Sequence, residues 1–367
     1  MTKLHDLYEQ QRQSPWLDNL KRGYITTGEL QRLVDDGIRG ITSNPTIFAK
    51  AIEGSADYDE QFRTLSKAGE SVEDAYWSMV VADIAAACDI LRNVHEDSGG
   101  EDGFVSIEVA PDIALDTNKT IEEARRLHER IDQPNLYVKI PGTAAGVPAI
   151  EAMVSEGRNI NITLLFSIDR YDEVIEAYLS GLEAFAASGG DLSKVRSVAS
   201  FFVSRVDTET DRRLDDIGTP EAQALKGRTA VAQAQLAYKL FLERFSGDRW
   251  STLAAKGANL QRPLWASTST KNPDYPDTLY VDSLIGPNTV NTLPDATIEA
   301  FEDHGTIART VDADFDGAQR VLDDLASVGV DLDDVSRVLE EEGVASFTKS
   351  FDELITALET KSAELSS

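Results

Sequence analysis

Residues 135–167 read NLYVKIPGTAAGVPAIEAMVSEGRNINITLLFS. Two short apolar runs, NLYVKIPG (135–142) and INITLLFS (160–167), flank a longer helix-like segment at 145–156. Short runs bounded by turn residues suit buried strands, and a helix between two of them suits a parallel crossover unit. The same alternation extends outward in both directions. Upstream lie SPWLDNL (14–20), GIRGITSN (37–44) and GFVSIEV (103–109). Downstream lie VRSVASFFVS (195–204), RPLWAST (262–268) and TLYVDSLIG (278–286). Helix-like stretches at 27–36, 45–68 with 72–96, 119–132, 145–156, 168–187 and 219–246 separate most of these candidates. Eight strands alternating with helices predict an α/β fold, a closed (β/α)8 TIM barrel. After Pro294 the pattern gives only helices, at 294–303, 315–327 and 331–357, expected to pack on the barrel wall. The whole chain, 1–367, is read as one barrel domain, with 294–367 as additional C-terminal helices.

Composition narrows the function. The chain carries 35 Lys and Arg against 64 Asp and Glu, a formal net charge of −29. A field of that sign repels nucleic acid and anionic lipid, so neither is an expected partner. A phosphorylated ligand would need a locally basic site. Cys88 is the only cysteine, so no internal disulfide can form, and no Cys or His cluster suggests a metal. The sequence has no apolar run long enough to span a membrane, and its start does not resemble a signal peptide, so a cytoplasmic location is expected. The oligomeric state is not legible; a homodimer is compatible with the sequence.

Strand parity selects the polar residues. Side chains alternate between the two faces of a strand. In LYVKI, Leu136, Val138 and Ile140 oppose Tyr137 and Lys139. In VSIEV, Val105, Ile107 and Val109 oppose Ser106 and Glu108. In INITLL, Ile160, Ile162 and Leu164 oppose Asn161 and Thr163. In SVASFF, Ser200 shares its face with Val198 and Phe202. Helices cover the outside of such a barrel, so the apolar set should face outward. Lys139, Glu108, Asn161, Thr163 and Ser200 should then converge inside. Asp18 and Asn44 fall at the ends of two further strands, where barrel active sites are built. Each residue alone has an ordinary reading. A strand lysine often sits at an edge, and Asn44 before Pro45 could tighten a turn or cap a helix. Convergence is harder to explain, because buried polar groups cost stability unless they satisfy one another or a ligand.

A lysine among apolar neighbours can lose its proton and attack a ketone, forming an imine. The imine withdraws electrons, so an adjacent C–C bond can break without a cofactor. A carboxylate suits the accompanying proton transfer. No dinucleotide fingerprint or P-loop is present, and no cofactor is expected.

The segments ITSNPTIF, VSIEV, LYVKIPGT, INITLLFS, ASFFVSRVD and WASTSTKN, in this order, resemble transaldolases. The resemblance runs from WLDN near residue 16 to the YVDSLIG segment and is greatest to a longer bacterial branch with KIPGT at the lysine. It implies a (β/α)8 barrel that transfers a dihydroxyacetone unit from sedoheptulose 7-phosphate to glyceraldehyde 3-phosphate. It implies that Lys139 forms the Schiff base and that Asp18 handles the hydroxyl proton. Glu108 and Thr163 match the pair that positions a water. Asn44, Asn161 and Ser200 match residues that bind the three-carbon unit or orient the lysine. Arg205 and Ser269 match phosphate-binding positions. Lys271 falls where the family often has arginine, a departure that exchanges a two-pronged donor for a point charge. The related fructose-6-phosphate aldolases are shorter and carry Tyr where Phe202 stands, so length and Phe202 favour the transferase. A barrel that only binds sugar phosphates would not need Lys139.

Overall fold

The computed structural model describes residues 1–366. Eight parallel strands close into a barrel in chain order: β1 (Gln13–Leu17), β2 (Gly40–Ile41), β3 (Phe104–Glu108), β4 (Leu136–Pro141), β5 (Ile160–Leu165), β6 (Ser197–Phe202), β7 (Gln261–Ala266) and β8 (Thr289–Leu293). Closure is made by β1 and β8, which pair in register from Gln13–Thr289 to Leu17–Leu293.

Seven strands lie where the apolar runs place them, and the eighth does not. TLYVDSLIG contains a short helix, Leu279–Asp282. Its buried residues Tyr280, Val281, Leu284 and Ile285 recur at helical spacing, not strand spacing. The closing strand is instead TVNTL, 289–293, which has only Val290 and Leu293 as apolar residues. Those two fall on opposite faces, and its polar residues bond to residues at the ends of neighbouring strands. Thr268 Oγ1 donates to Asn291 Oδ1 at 2.9 Å, and the Thr42 and Thr292 hydroxyls lie 2.6 Å apart. The helix Ser204–Ile217 also departs from the sequence reading, as do Lys3–Gln11 and Gly247–Ala254. Ser204–Ile217 begins directly after β6 and is dominated by charged residues, so its apolar stripe is faint.

Local chemistry sets the helix starts. Asp116 and Ser167 cap the helices after β3 and β5, accepting from the amides of Lys119 and Arg170. After β4 the chain turns sharply into Gly146–Ser155. A Cβ on Gly146 would lie only 1.9 Å from the Pro141 carbonyl oxygen, so glycine alone fits. In β5 the register shifts between Ile162 and Leu165, and Leu164 takes a positive φ of 59°. This bulge bends the strand end that carries Thr163.

The barrel interior is filled from the bottom. The rings of Phe104 and Tyr137 stack at 4.0 Å, and Trp16 stacks on Tyr137 at 6.1 Å. Beneath them Asp102, fully buried, accepts from Ser14 Oγ (2.8 Å), Arg39 Nε (2.7 Å) and Arg262 Nη2 (3.0 Å). One carboxylate thus joins residues of β1 and β7 to the segments leading into β2 and β3. Farther up, Asn161 Nδ2 donates to Ser106 Oγ at 3.0 Å and Ser200 Oγ donates to Asn161 Oδ1 at 2.7 Å.

The helices after Pro294 follow two courses. Phe315–Ser327 packs on the outer helix Thr229–Arg244, as a wall helix should. The last helix, Leu332–Ser366, instead crosses the carboxyl ends of the strands, touching Pro45–Glu53, Ser204–Ile217 and β5. Ser336 Oγ donates to the Phe166 carbonyl at 2.9 Å, and Thr46 Oγ1 donates to Ser350 Oγ at 2.9 Å. Gly343 permits the crossing, since a Cβ there would meet Leu164 Cδ2 at 2.9 Å. Among the described residues no helix is long and apolar enough to cross a membrane.

Burial alone would raise the Asp102 carboxyl, but the Arg262 and Arg39 guanidiniums hold it below the usual carboxylate range. Asp102→Asn leaves both guanidiniums without their counter-charge and should cost about 3–5 kcal/mol of unfolding free energy. A depressed native value contributes stability that is present above the unfolded carboxyl's value and lost as pH falls through the native one. The stability gap between wild type and variant, read by denaturant titration, should therefore be full at about pH 7 and narrow below about pH 4.

Candidate active site

At the carboxyl ends of the strands lies a cavity of about 290 Å³. Strand parity brings Lys139, Thr163, Ser200 and Phe202 into its wall, and strand-end loops add Asp18, Asn44, Ser269 and Lys271. Arg205 enters from the first turn of Ser204–Ile217. Glu108 and Asn161 sit just below, Glu108 against Lys139 and Asn161 against Ser200. All the candidate residues read from the sequence are thus assembled at one end of the barrel.

Lys139 is 4% exposed. Its Nζ donates to the Ser43 carbonyl at 3.0 Å and lies 2.9 Å from Glu108 Oε2. Lys139 is thus the one cation paired with Glu108 among the described residues, and Glu108 Oε1 is buried with no hydrogen-bond partner there. The buried Thr163 hydroxyl likewise has no partner there. Burial pushes the Glu108 carboxyl up, with Lys139 opposing. A buried carboxylate oxygen and a buried hydroxyl without hydrogen bonds are costly unless a ligand or water uses them.

Asp18 follows β1 directly. Its side chain keeps a partial opening to the cavity. Burial raises its carboxyl, while the Thr42 hydroxyl, donating at 2.8 Å, and the charges of Lys139, Lys271 and Arg205 pull it down. A carboxyl raised in this way is a stronger base than a free carboxylate.

Asn44 does two things. Its Oδ1 caps Pro45–Glu53 by accepting from the Ile47 amide at 3.0 Å, which leaves the amide nitrogen as a donor at the cavity wall. The residue is both a helix cap and part of the cavity lining.

The outer part of the cavity is basic. The Arg205 guanidinium lies 5.2 Å from the Phe202 ring centroid and 5.9 Å from that of Phe347, and burial holds it below the usual arginine range. Lys271 Nζ is 2.5 Å from Ser269 Oγ. Burial lowers the Lys271 ammonium, and Arg205 and Lys50 lower it further. These charges supply the local reversal that a chain of −29 needs to hold an anion.

Several wall residues lie outside the set that sequence reasoning selects. Thr46, Ile47 and Lys50 share one face of Pro45–Glu53 and add a third cation. A signal for them exists: with Asn44 at the cap, spacings of three and four residues put them on one side. Ser346 and Phe347 come from the last helix and carry no such signal, since nothing local tells that this helix crosses the mouth. Among the described residues no group of His, Cys, Asp and Glu is arranged to hold a metal ion.

Buried carboxylates brace the basic edge. Asp207, two residues after Arg205 in Ser204–Ile217, accepts from the Tyr280 hydroxyl at 2.8 Å and the Ala230 amide at 2.7 Å. One turn on, Asp211 accepts from the Tyr275 hydroxyl at 2.6 Å and the Gly227 amide at 2.9 Å. The helix that carries Arg205 thereby holds the segment that follows Lys271 at two points.

The family described as Transaldolase/Fructose-6-phosphate aldolase matches residues 15–358. The chain belongs to the transaldolase family. A protein named Transaldolase from Frankia alni is 51% identical over 342 residues, covering 93% of this chain and 92% of that one. One of the same name from Thermobifida fusca is 52% identical over 342 residues, 93% of each chain. Another, from Mycobacterium leprae (strain TN), is 51% identical over 345 residues, covering 93% of this chain and 92% of that one.

Burial raises Asp207 to about 6, against the hydrogen bonds it accepts. The native state therefore favours its protonated form. That contribution is fully present below about pH 4 and is lost as pH rises through about 6. The stability of wild type relative to Asp207→Asn, followed by denaturant titration, should decline between about pH 4 and about pH 7. A pH-independent difference would contradict the assignment.

Proposed function

We propose that the chain is a transaldolase that moves a dihydroxyacetone unit between sugar phosphates through an imine on Lys139. The observation that carries the reading is Lys139 itself: buried, 2.9 Å from Glu108, and open to a cavity that also holds Asp18. Unprotonated Nζ adds to the C2 ketone of a ketose phosphate such as sedoheptulose 7-phosphate. The carbinolamine then loses one water to become the imine. Glu108, paired with Lys139 through one oxygen only, and Thr163, whose hydroxyl has no hydrogen-bond partner among the described residues, suit the handling of that water.

Asp18 takes the proton of the C4 hydroxyl as the C3–C4 bond breaks, and the electron pair moves toward the imine nitrogen. Erythrose 4-phosphate leaves, and the three-carbon unit stays on Lys139. Asn44, Asn161 and Ser200 are placed to orient it. The enamine then attacks the aldehyde of glyceraldehyde 3-phosphate, Asp18 returns its proton, and hydrolysis of the new imine releases fructose 6-phosphate. Arg205, Lys271, Ser269 and Lys50 supply the charge and hydroxyl for the phosphate.

Phe202 separates this reading from an aldolase that releases free dihydroxyacetone. Its ring lies 5.2 Å from that of Phe166 and cannot donate a proton to the bound intermediate. The three-carbon unit is thereby kept for a second sugar.

Borohydride added with fructose 6-phosphate should trap a covalent adduct on the peptide that contains Lys139. Adding an aldose phosphate before the reductant should discharge it. A peptide without added mass would refute the imine. Asp18→Ala should still be trapped, while turnover falls by about 10²–10⁴-fold; wild-type turnover in that variant would assign the proton transfer elsewhere.

A further inference from the structure

The opposite, amino-terminal mouth of the barrel holds a second cavity, of about 340 Å³. Arg12 precedes β1, Arg196 precedes β6 and Arg262 lies at the start of β7, and all three line it. Tyr8, Trp250 and Leu260 supply apolar wall. Glu101 is the one carboxylate residue in the lining among the described residues. The cavity therefore has a sign opposite to that of the whole molecule.

These arginines are also poorly neutralised. Many arginines on the outer surface pair with carboxylates, as Arg125 does with Glu156 and Arg249 with Glu176 and Glu183. Arg196 instead donates only to backbone carbonyls, those of Gly99, Gly100, Ser193 and Val195. Burial holds its guanidinium below the usual arginine range. Arg12 has the Tyr8 ring at 5.4 Å and no carboxylate within ion-pair distance among the described residues. Arg262 shares Asp102 with Arg39, so that trio keeps one positive charge over. Arg196 and Arg262 hold backbone and Asp102 in place, whereas the Arg12 guanidinium has no hydrogen bond or ion pair among the described residues, so fold stability gives no reason for its place beside two further guanidiniums.

Guanidinium forks match phosphate oxygens in geometry as well as charge. The volume exceeds that of a bare phosphate, and the aromatic wall suits an apolar or ring-bearing remainder. We propose that this mouth binds a small organic phosphate, with its phosphate on the free Arg12 guanidinium in the field of Arg196 and Arg262 and its organic part against Trp250 and Leu260. The site is separate from the Lys139 cavity and does not depend on how that cavity works.

The test uses phenyl phosphate and inorganic phosphate as probes, followed by titration calorimetry. The full-length Arg205→Ala/Lys271→Ala/Lys50→Ala chain removes the three cations from the basic edge of the catalytic cavity. In it, phenyl phosphate should bind saturably at one site, more tightly than inorganic phosphate and more weakly as salt rises. Adding Arg12→Glu, at an exposed position, should weaken that binding at least tenfold. In an otherwise wild-type chain Arg12→Glu should leave transaldolase turnover unchanged, which shows that the fold survives. Absence of saturable binding, or binding indifferent to Arg12→Glu, would overturn the proposal. Equal affinity for the two probes would refute the organic part of the ligand.

Discussion

Closure of the sheet on itself is the constraint from which the rest follows. The β1–β8 ladder joins the first strand to the last in five successive pairs. With no free edge, each strand has one face toward helices and one toward a sealed interior. Polar side chains on the inner face must then find partners there or serve a ligand. Lys139, Glu108, Asn161 and Ser200 become neighbours for this reason, although they come from four different strands.

The interior is graded along the barrel axis. Stacked rings of Trp16, Phe104 and Tyr137 occupy the lower part, and the Ser106–Asn161–Ser200 chain of hydrogen bonds lies above them. Lys139 and its carboxylate neighbour come next, and the basic edge lies outermost. Water is thus excluded beneath the lysine while charge is offered above it. A low-dielectric floor strengthens electrostatic interactions at the level of Lys139.

Much of this is legible in the sequence because parity is a strong rule. Alternation within LYVKI, VSIEV and INITLL puts the right side chains inside, and the strand-end positions of Asp18 and Asn44 put them at the mouth. The exception is β8. TVNTL is short of apolar residues, since Asn291 and Thr292 bond to Thr268 and Thr42 at neighbouring strand ends, and the apolar TLYVDSLIG next to it competes for the same reading. Ser346 and Phe347 are invisible for a different reason. Which surface a long amphipathic helix covers is a tertiary fact, and Gly343 reveals it only once Leu164 is seen beside it.

The course of the last helix also bears on how the molecule is made. Barrel closure needs only residues up to Leu293, so a nascent chain can seal its sheet while the remainder is still being synthesised. The cavity wall, however, includes Ser346 and Phe347. A growing chain therefore owns a finished barrel before it owns a finished cavity. A chain cut before Ser346 would keep every barrel strand and lack two residues of the cavity wall.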